Sequence, residues 1–342
     1  MKLTKIKLDA PYLLFMADVP DDDHAKTGHG IKDWRAEKCV AQMRLPGCKV
    51  DMQLPEMTAT QAAQAGVRTA IIGIASTGGQ IPDHWLPSLT DLARNGIDIA
   101  SGMHSKLHDI PRLVAAASEG GGKLIDVRMP PADLPVGLGR KRTGSRVLMV
   151  GTDCAVGKKY SALALHRELQ DRDVDATFRA TGQTGIMIAG EGIPIDSVVA
   201  DFISGAAETL SPDNSAEHWD VIEGQGSLVH PSYAGVSLGL LHGSQPDAIV
   251  LCHDSSRHEV LGLEGYFELP ALDVIIDAAL AAAHVTNNKC YCAGISVNTS
   301  TMTADERNTY LSGLREQYGL PAVDPLISGM ADIADRLVGE AP

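Results

Sequence analysis

Val147-Leu148-Met149-Val150-Gly151-Thr152-Asp153-Cys154-Ala155-Val156-Gly157-Lys158-Lys159 joins a buried-strand pattern to a glycine-bounded loop, and a helical pattern follows it. The apolar run predicts a strand over Arg146–Val150. Leu163, Leu165 and Leu169 are among the apolar positions of a helix expected over Tyr160–Asp171. Between them the loop is read as a P-loop of the G-x-x-x-x-G-K type. The strand aims such a loop, and the helix N-terminus adds its dipole and free N–H groups. Gly151 and Gly157 are expected to take the left-handed turns that let successive N–H groups converge on a phosphate. The predicted phosphate-binding set is Gly151, Thr152, Asp153, Cys154, Ala155, Val156, Gly157, Lys158, Lys159 and Tyr160.

Nucleotide triphosphatases end this motif in Ser or Thr, whose hydroxyl ligates magnesium. Here the position is Lys159, which repels a cation. Ser161 lies about 200° further round the helix and cannot replace it. The loop keeps its anion-binding parts and loses its metal-binding part, so a diphosphate that is held but not cleaved fits better than magnesium-ATP.

Upstream, apolar runs at Pro11–Ala17, Ala70–Ala75, Ile97–Ser101 and Lys123–Arg128 alternate with helical patterns at Leu86–Arg94 and Ile110–Ser118. An acidic, turn-rich stretch, Asp18–Gly30, follows the first run, and Ser76-Thr77-Gly78-Gly79 forms a glycine turn after the second. This β-α-β alternation predicts a parallel, Rossmann-like sheet. No G-x-G-x-x-G fingerprint supports dinucleotide binding. Pro130-Pro131, Pro135 and the basic, glycine-rich Gly137–Ser145 mark a break. The expected organisation is a Rossmann-like domain over 1–136, a linker over 137–145, and a P-loop α/β domain with a mainly parallel sheet over 146–342. Within that domain further strands are expected at Asp175–Ala180, Val221–Ile222, Ala248–Cys252 and Cys290–Val297, with helices at Val274–His284 and Ala304–Gln317.

Candidate catalytic groups cluster at predicted strand ends, the edge that faces phosphates in such folds. Glu223, in Val221-Ile222-Glu223-Gly224-Gln225-Gly226-Ser227, is a candidate base or ligand organiser; its alternative is a carboxylate capping the glycine turn. Asp201 sits in an apolar run, which favours a paired or functional carboxylate. His230 follows closely enough to line the same pocket. Arg179 is a candidate partner for a substrate carboxylate, or else an ordinary ion pair. Gln183, in Thr181–Gly185, and Ser227 offer polar groups to a substrate. Lys26 and the Trp34-Arg35 pair follow the first strand, either reaching a ligand or lying in a solvated loop. Histidines 230, 242, 253 and 258 lack helical metal-pair spacing, so no metal site is expected.

The chain is long enough for two ordinary domains, with 44% hydrophobic and 21% charged residues. A net charge of −14 disfavours nucleic acid or an anionic membrane as partner. No apolar run approaches the roughly 20 residues of a membrane span, and Met1–Asp9 lacks the apolar core of a signal peptide. Six scattered cysteines are expected as reduced thiols in a cytoplasmic protein.

Gly151–Lys159, Glu223-Gly224-Gln225-Gly226-Ser227 and Leu240-Leu241-His242-Gly243-Ser244 together resemble a bacterial and archaeal family. It was long carried as a P-loop domain of unknown function with a Rossmann-like N-terminal domain, and it includes a D-glutamate N-acetyltransferase. The resemblance covers nearly the whole chain, and the Lys-Lys ending of the loop is its specific part. It implies a homo-oligomeric acyltransferase acting on an acidic amino acid and acetyl-CoA, whose pyrophosphate the metal-free loop would hold. Glu223 would then be the base, with Asp201 and His230 behind it. Arg179 and Lys26 would hold the carboxylates, and a backbone N–H near Gly224–Ser227 would face the oxyanion. Two rival classes are an ATP-dependent kinase or ligase drawing magnesium from Asp153, Asp201 or Glu223, and a non-catalytic nucleotide or CoA sensor.

Overall fold

The computed structural model describes residues 5–75 and 77–339; Met1–Thr4, in the stretch compared with a signal peptide, and Ser76, in the expected glycine turn, lie outside the described residues. The chain divides into two compact units, one of residues 5–129 with 183–194 and one of residues 130–182 with 195–339. Among the described residues, no helix is long and apolar enough to cross a membrane.

In the first unit five parallel strands, β1 (Tyr12–Ala17), β2 (Cys39–Arg44), β3 (Thr69–Ile72), β4 (Asp98–Ser101) and β5 (Leu124–Asp126), lie in the order β2-β1-β3-β4-β5. This is a doubly wound order. Every residue of β1 is buried, as a parallel strand covered on both faces requires. The helices are α1 (Lys26–Trp34), α2 (Ala59–Gln64), α3 (Leu86–Arg94) and α4 (Pro111–Gly120). Two expectations change here. Residues 26–34 form α1 rather than a solvated loop, and Gly28 lets it pack closely: a Cβ on Gly28 would lie 2.9 Å from Met16 Sδ, and Gly28 N–H donates to Gly73 O. β2 is missing from the sequence reading because its buried Gln42 breaks the apolar pattern. That side chain is satisfied by Asp51, Leu54 O and Met52 N–H. A later segment, α5 (Lys158–Asp171), belongs to the other unit, whereas α6 (Gln183–Ala189) packs here on α1. Thr27 and Thr184 hydroxyls meet at 3.1 Å, and Arg35 donates to Ile188 O.

The second unit holds six parallel strands in the order β11-β10-β9-β6-β8-β7: β6 (Ser145–Gly151), β7 (Ala176–Arg179), β8 (Trp219–Ile222), β9 (Ala248–Asp254), β10 (Tyr291–Asn298) and β11 (Ala322–Val323). Helices α5, α7 (Ile203–Leu210), α8 (Ala234–Ser244), α9 (Leu272–Ala283), α10 (Ala304–Tyr318) and α11 (Ala331–Gly339) complete it. β6 is central, flanked by β8 and β9, so the loops leaving β6, β8 and β7 meet at one carboxyl edge. That order places the site.

Residues 137–145, expected as a linker, are strapped to this unit. Leu138 and Gly139 N–H groups donate to the Glu208 carboxylate. The Arg142 guanidinium, pushed down to about 10 chiefly by burial and then by Arg146, donates to Ser211 O, Gly243 O and Ser244 O. These carbonyls end α7 and α8, where orphan acceptors and negative dipole ends want a cation. Arg142→Leu should therefore destabilise the protein by about 2–4 kcal/mol, the cost of leaving one or two buried acceptors unpaired. The urea midpoint of the variant against wild type measures this, and an unchanged midpoint would contradict the strap.

Candidate active site

The loop after β6 is shaped at both of its glycines. Gly157 caps α5 at φ +94° and no side chain caps the helix end, so the first-turn N–H groups have no side-chain acceptor. Gly151 is not left-handed; the second positive φ belongs to Ala155, at +57°. Gly151 is needed for space, since a Cβ there would meet Lys158 Nζ at 2.6 Å and Asp153 O at 2.8 Å. Counted back from Gly157, the first glycine of G-x-x-x-x-G-K falls on Thr152. Thr152 is buried, donates its N–H to Cys252 O, and shares its hydroxyl with His253 Nδ1. Burial pulls His253 down to about 4, so it is a neutral prop. Lys158 folds back over the loop and donates to Asp153 O at 2.7 Å. Burial also lowers its pKa, which makes an anion in the loop a favourable companion. Lys159 is half-buried and stacks its ammonium 4.7 Å from the Tyr160 ring.

Glu223 leaves the end of β8 directly beside this loop. Its neighbour Gly224 is pressed against β6 so tightly that a Cβ would stand 1.7 Å from Met149 O and 3.0 Å from Lys158 Cδ. The Glu223 side chain is buried, with Oε2 accepting the N–H groups of Thr181 and Gly182 at 2.9 and 3.0 Å. The Thr181 hydroxyl donates to Glu223 O, and Gln225 Nε2 donates to that hydroxyl. Among the described residues Oε1 accepts no hydrogen bond. Burial raises the Glu223 pKa; the two N–H donors and Lys159 lower it in part, and Asp196 adds to the rise. One oxygen is therefore anchored and the other is open, on a carboxylate of raised basicity. A general base needs that arrangement.

Other predicted residues have structural employment. Ser227 Oγ donates to Thr152 O and accepts Val229 N–H, tying the two loops together. Asp153 is fully buried and accepts Cys154 N–H, Leu261 N–H and Arg257. His230 accepts Ser232 N–H at Nδ1, which leaves its proton on Nε2, directed to Leu261 O. A base with its lone pair occupied is not a base, so His230 is corrected to a prop of the loop. Ligand atoms of Asp153, Cys154 and His230 do lie within 4.8 Å of one another, a spacing a metal could use. The Arg257 guanidinium 3.0 Å from Asp153 and the occupied His230 lone pair oppose a cation there.

Arg179 does not face the loop with a free fork: its Nε donates to Asp220 at 2.6 Å in a buried pair. Asp201 is exposed on a single turn at Ala200–Phe202, so the apolar neighbours that suggested a buried carboxylate do not cover it. In the first unit Lys26 is exposed, 3.6 Å from Asp23, and Gln183 Oε1 presses on Gly102 without a hydrogen bond. Sequence reasoning missed Arg257 and weighed His253 only as a metal ligand; one follows β9 and the other lies at its end, on the same carboxyl edge.

The fold and this edge define a P-loop protein with a Rossmann-like companion unit and a lysine where the metal hydroxyl would stand. Residues 135–334 match the P-loop domain of the family described as a domain of unknown function, DUF1611, and residues 43–130 match its Rossmann-like N-terminal domain. The chain belongs to the DUF1611 family. It is 48% identical over 330 residues to a D-glutamate N-acetyltransferase of Tritonibacter scottomollicae, covering 96% of this chain and 99% of that protein. A D-glutamate N-acetyltransferase of a Pseudoalteromonas species is 45% identical, covering 97% and 100%. The crystal structure of a DUF1611 family protein from Anabaena variabilis matches with a TM-score of 0.87 at 29% identity, covering 97% of this chain and 100% of that one.

The raised Glu223 pKa has a stability consequence. A carboxyl held above its unfolded value costs stability once the pH exceeds that value, and costs nothing below it. Glu223→Gln should therefore melt at or above wild type at pH 8, with the gap closing as the pH falls to the ordinary carboxylate range. Thermal unfolding across that span measures it; a variant that melts lower at pH 8 would show that Glu223 is a net stabiliser.

Proposed function

We propose that this chain transfers the acetyl group of acetyl-CoA to the amino group of D-glutamate. The near-full-length relatives are named for N-acetylation of D-glutamate, which supports the acceptor and the acetyl group, and the observation that carries the reading within the molecule is Glu223, one oxygen anchored and one open beside the P-loop. Glu223 takes one proton from the substrate ammonium. The amine nitrogen then attacks the thioester carbonyl, the C–N bond forms as the C–S bond breaks, and CoA leaves as the thiol with the second amine proton. Lys158 and Lys159 supply the positive field that an acidic substrate needs against a chain of net charge −14. Lys159 also stands where a nucleotide-cleaving loop ligates magnesium, which disfavours kinase or ligase chemistry.

Release of free thiol from acetyl-CoA should depend on D-glutamate and persist in EDTA. Glu223→Gln should lower turnover by roughly 100-fold or more, the usual size of a lost general base. The acid limb of kcat/KM should lie above the ordinary glutamate range, following the raised pKa. Absence of thiol release with any acidic amino acid would overturn the activity. A Glu223→Gln turnover within threefold of wild type would move the base elsewhere.

A further inference from the structure

The sequence reading gives the P-loop to the donor's diphosphate and the base to Glu223, and these two assignments compete for one place. A base must come within about 2.6–3.2 Å of the proton it takes. Glu223 is next to Gly224, which packs directly on Met149 of β6 and on Lys158, where the loop enters α5. An ammonium at Oε1 is therefore at the loop as well. In CoA the thioester is separated from the diphosphate by the pantetheine arm, about four residue lengths of extended chain or roughly 14 Å. A donor anchored by its diphosphate in this loop, with its arm extended, carries its acetyl group away from Glu223. An amino acid has the opposite geometry, with carboxylate and amine a few bonds apart.

We propose, resting on the acetyltransferase reading, that the P-loop of this chain holds a carboxylate of the acceptor amino acid rather than the phosphates of the donor. Three features meet at that point. Uncapped N–H groups open α5 at Gly157. Two cationic side chains, Lys158 and Lys159, flank them. Glu223 is only 4% exposed, its Oε2 accepts two backbone N–H groups, and its Oε1 has no hydrogen bond among the described residues. Anion donors and an ammonium acceptor side by side are complementary to a zwitterion. A diphosphate would instead bring its negative charge against the Glu223 carboxylate. The acyl donor then approaches from outside the loop with its thioester foremost, and its phosphates lie elsewhere.

Inorganic phosphate, a probe of the loop itself, separates the two arrangements in the wild-type enzyme. Phosphate should raise the apparent KM for D-glutamate and be overcome by excess D-glutamate, while excess acetyl-CoA should not relieve it. Lys159→Met should raise the KM for D-glutamate about tenfold or more, the size of a lost charge-assisted contact. The same variant should bind CoA within about twofold of wild type by calorimetry. Phosphate that competes with acetyl-CoA, or that inhibits against neither substrate, would overturn the proposal, as would a Lys159→Met enzyme that loses CoA. Failure of the underlying reading is a separate result: no thiol release with D-glutamate, whatever phosphate does.

Discussion

A lysine ammonium can be buried between two strand ends only if neither end carries a β-carbon there. Gly151 and Gly224 meet that condition on either side of Lys158, one closing β6 and the other following β8. Because β6 and β8 are adjacent and in register from Ser145 and Trp219 onward, their ends arrive at the same height. Lys158 then lies across Gly151 and donates to Asp153 O, which sets the curve of the loop. Any side chain at 224 would meet Met149 O, so the spacing of the two loops, and with it the distance from loop to Glu223, depends on that absent carbon.

The same crowding sets the chemistry. Holding Glu223 in a buried place costs stability that burial does not return, and the two N–H donors from Thr181 and Gly182 offset only part of it. What the arrangement gains is orientation. With Oε2 pinned, the carboxylate cannot rotate, and Oε1 is left without a hydrogen-bond donor among the described residues. Thr181 acts on Glu223 three times over: through its own N–H, through its hydroxyl to the Glu223 carbonyl, and through the peptide that carries the Gly182 N–H. Strand β7 thus serves as a jig for a residue of β8.

Around this pair, most of the ionisable groups that look catalytic in the sequence are committed to holding loops. Asp153 gathers Arg257 and Leu261 N–H from the chain after β9, and His230 braces the same stretch through Leu261 O. Asp220 collects Arg179 and the Ser211 hydroxyl beneath the site. Buried charges that find full partners are stable but chemically quiet. Glu223 differs by having one oxygen without a hydrogen bond among the described residues, and the proposed role as base rests on that difference.

The strand-loop-helix of the P-loop, the lysine at 159 in place of a hydroxyl, the parallel α/β class and Glu223 beside its glycine were all legible in the sequence, because each depends on neighbours a few residues apart. Hydrophobic period, helix start signals and the chemistry of one side chain are local properties. Three other features were not legible. The acidic, turn-rich stretch Asp18–Gly30 suggested a loop where Gly28 packs a helix, a basic segment at 137–145 suggested a linker where Arg142 caps two helices, and Arg179 suggested substrate binding and Asp201 and His230 catalysis. For three of these residues the deciding partner lies far away in the chain: Met16 and Gly73 for Gly28, Ser211 and Gly243 for Arg142, Asp220 for Arg179. Whether a charged group is spent on structure or left open for chemistry depends on which strands become neighbours and at what register, and only the folded sheet decides that.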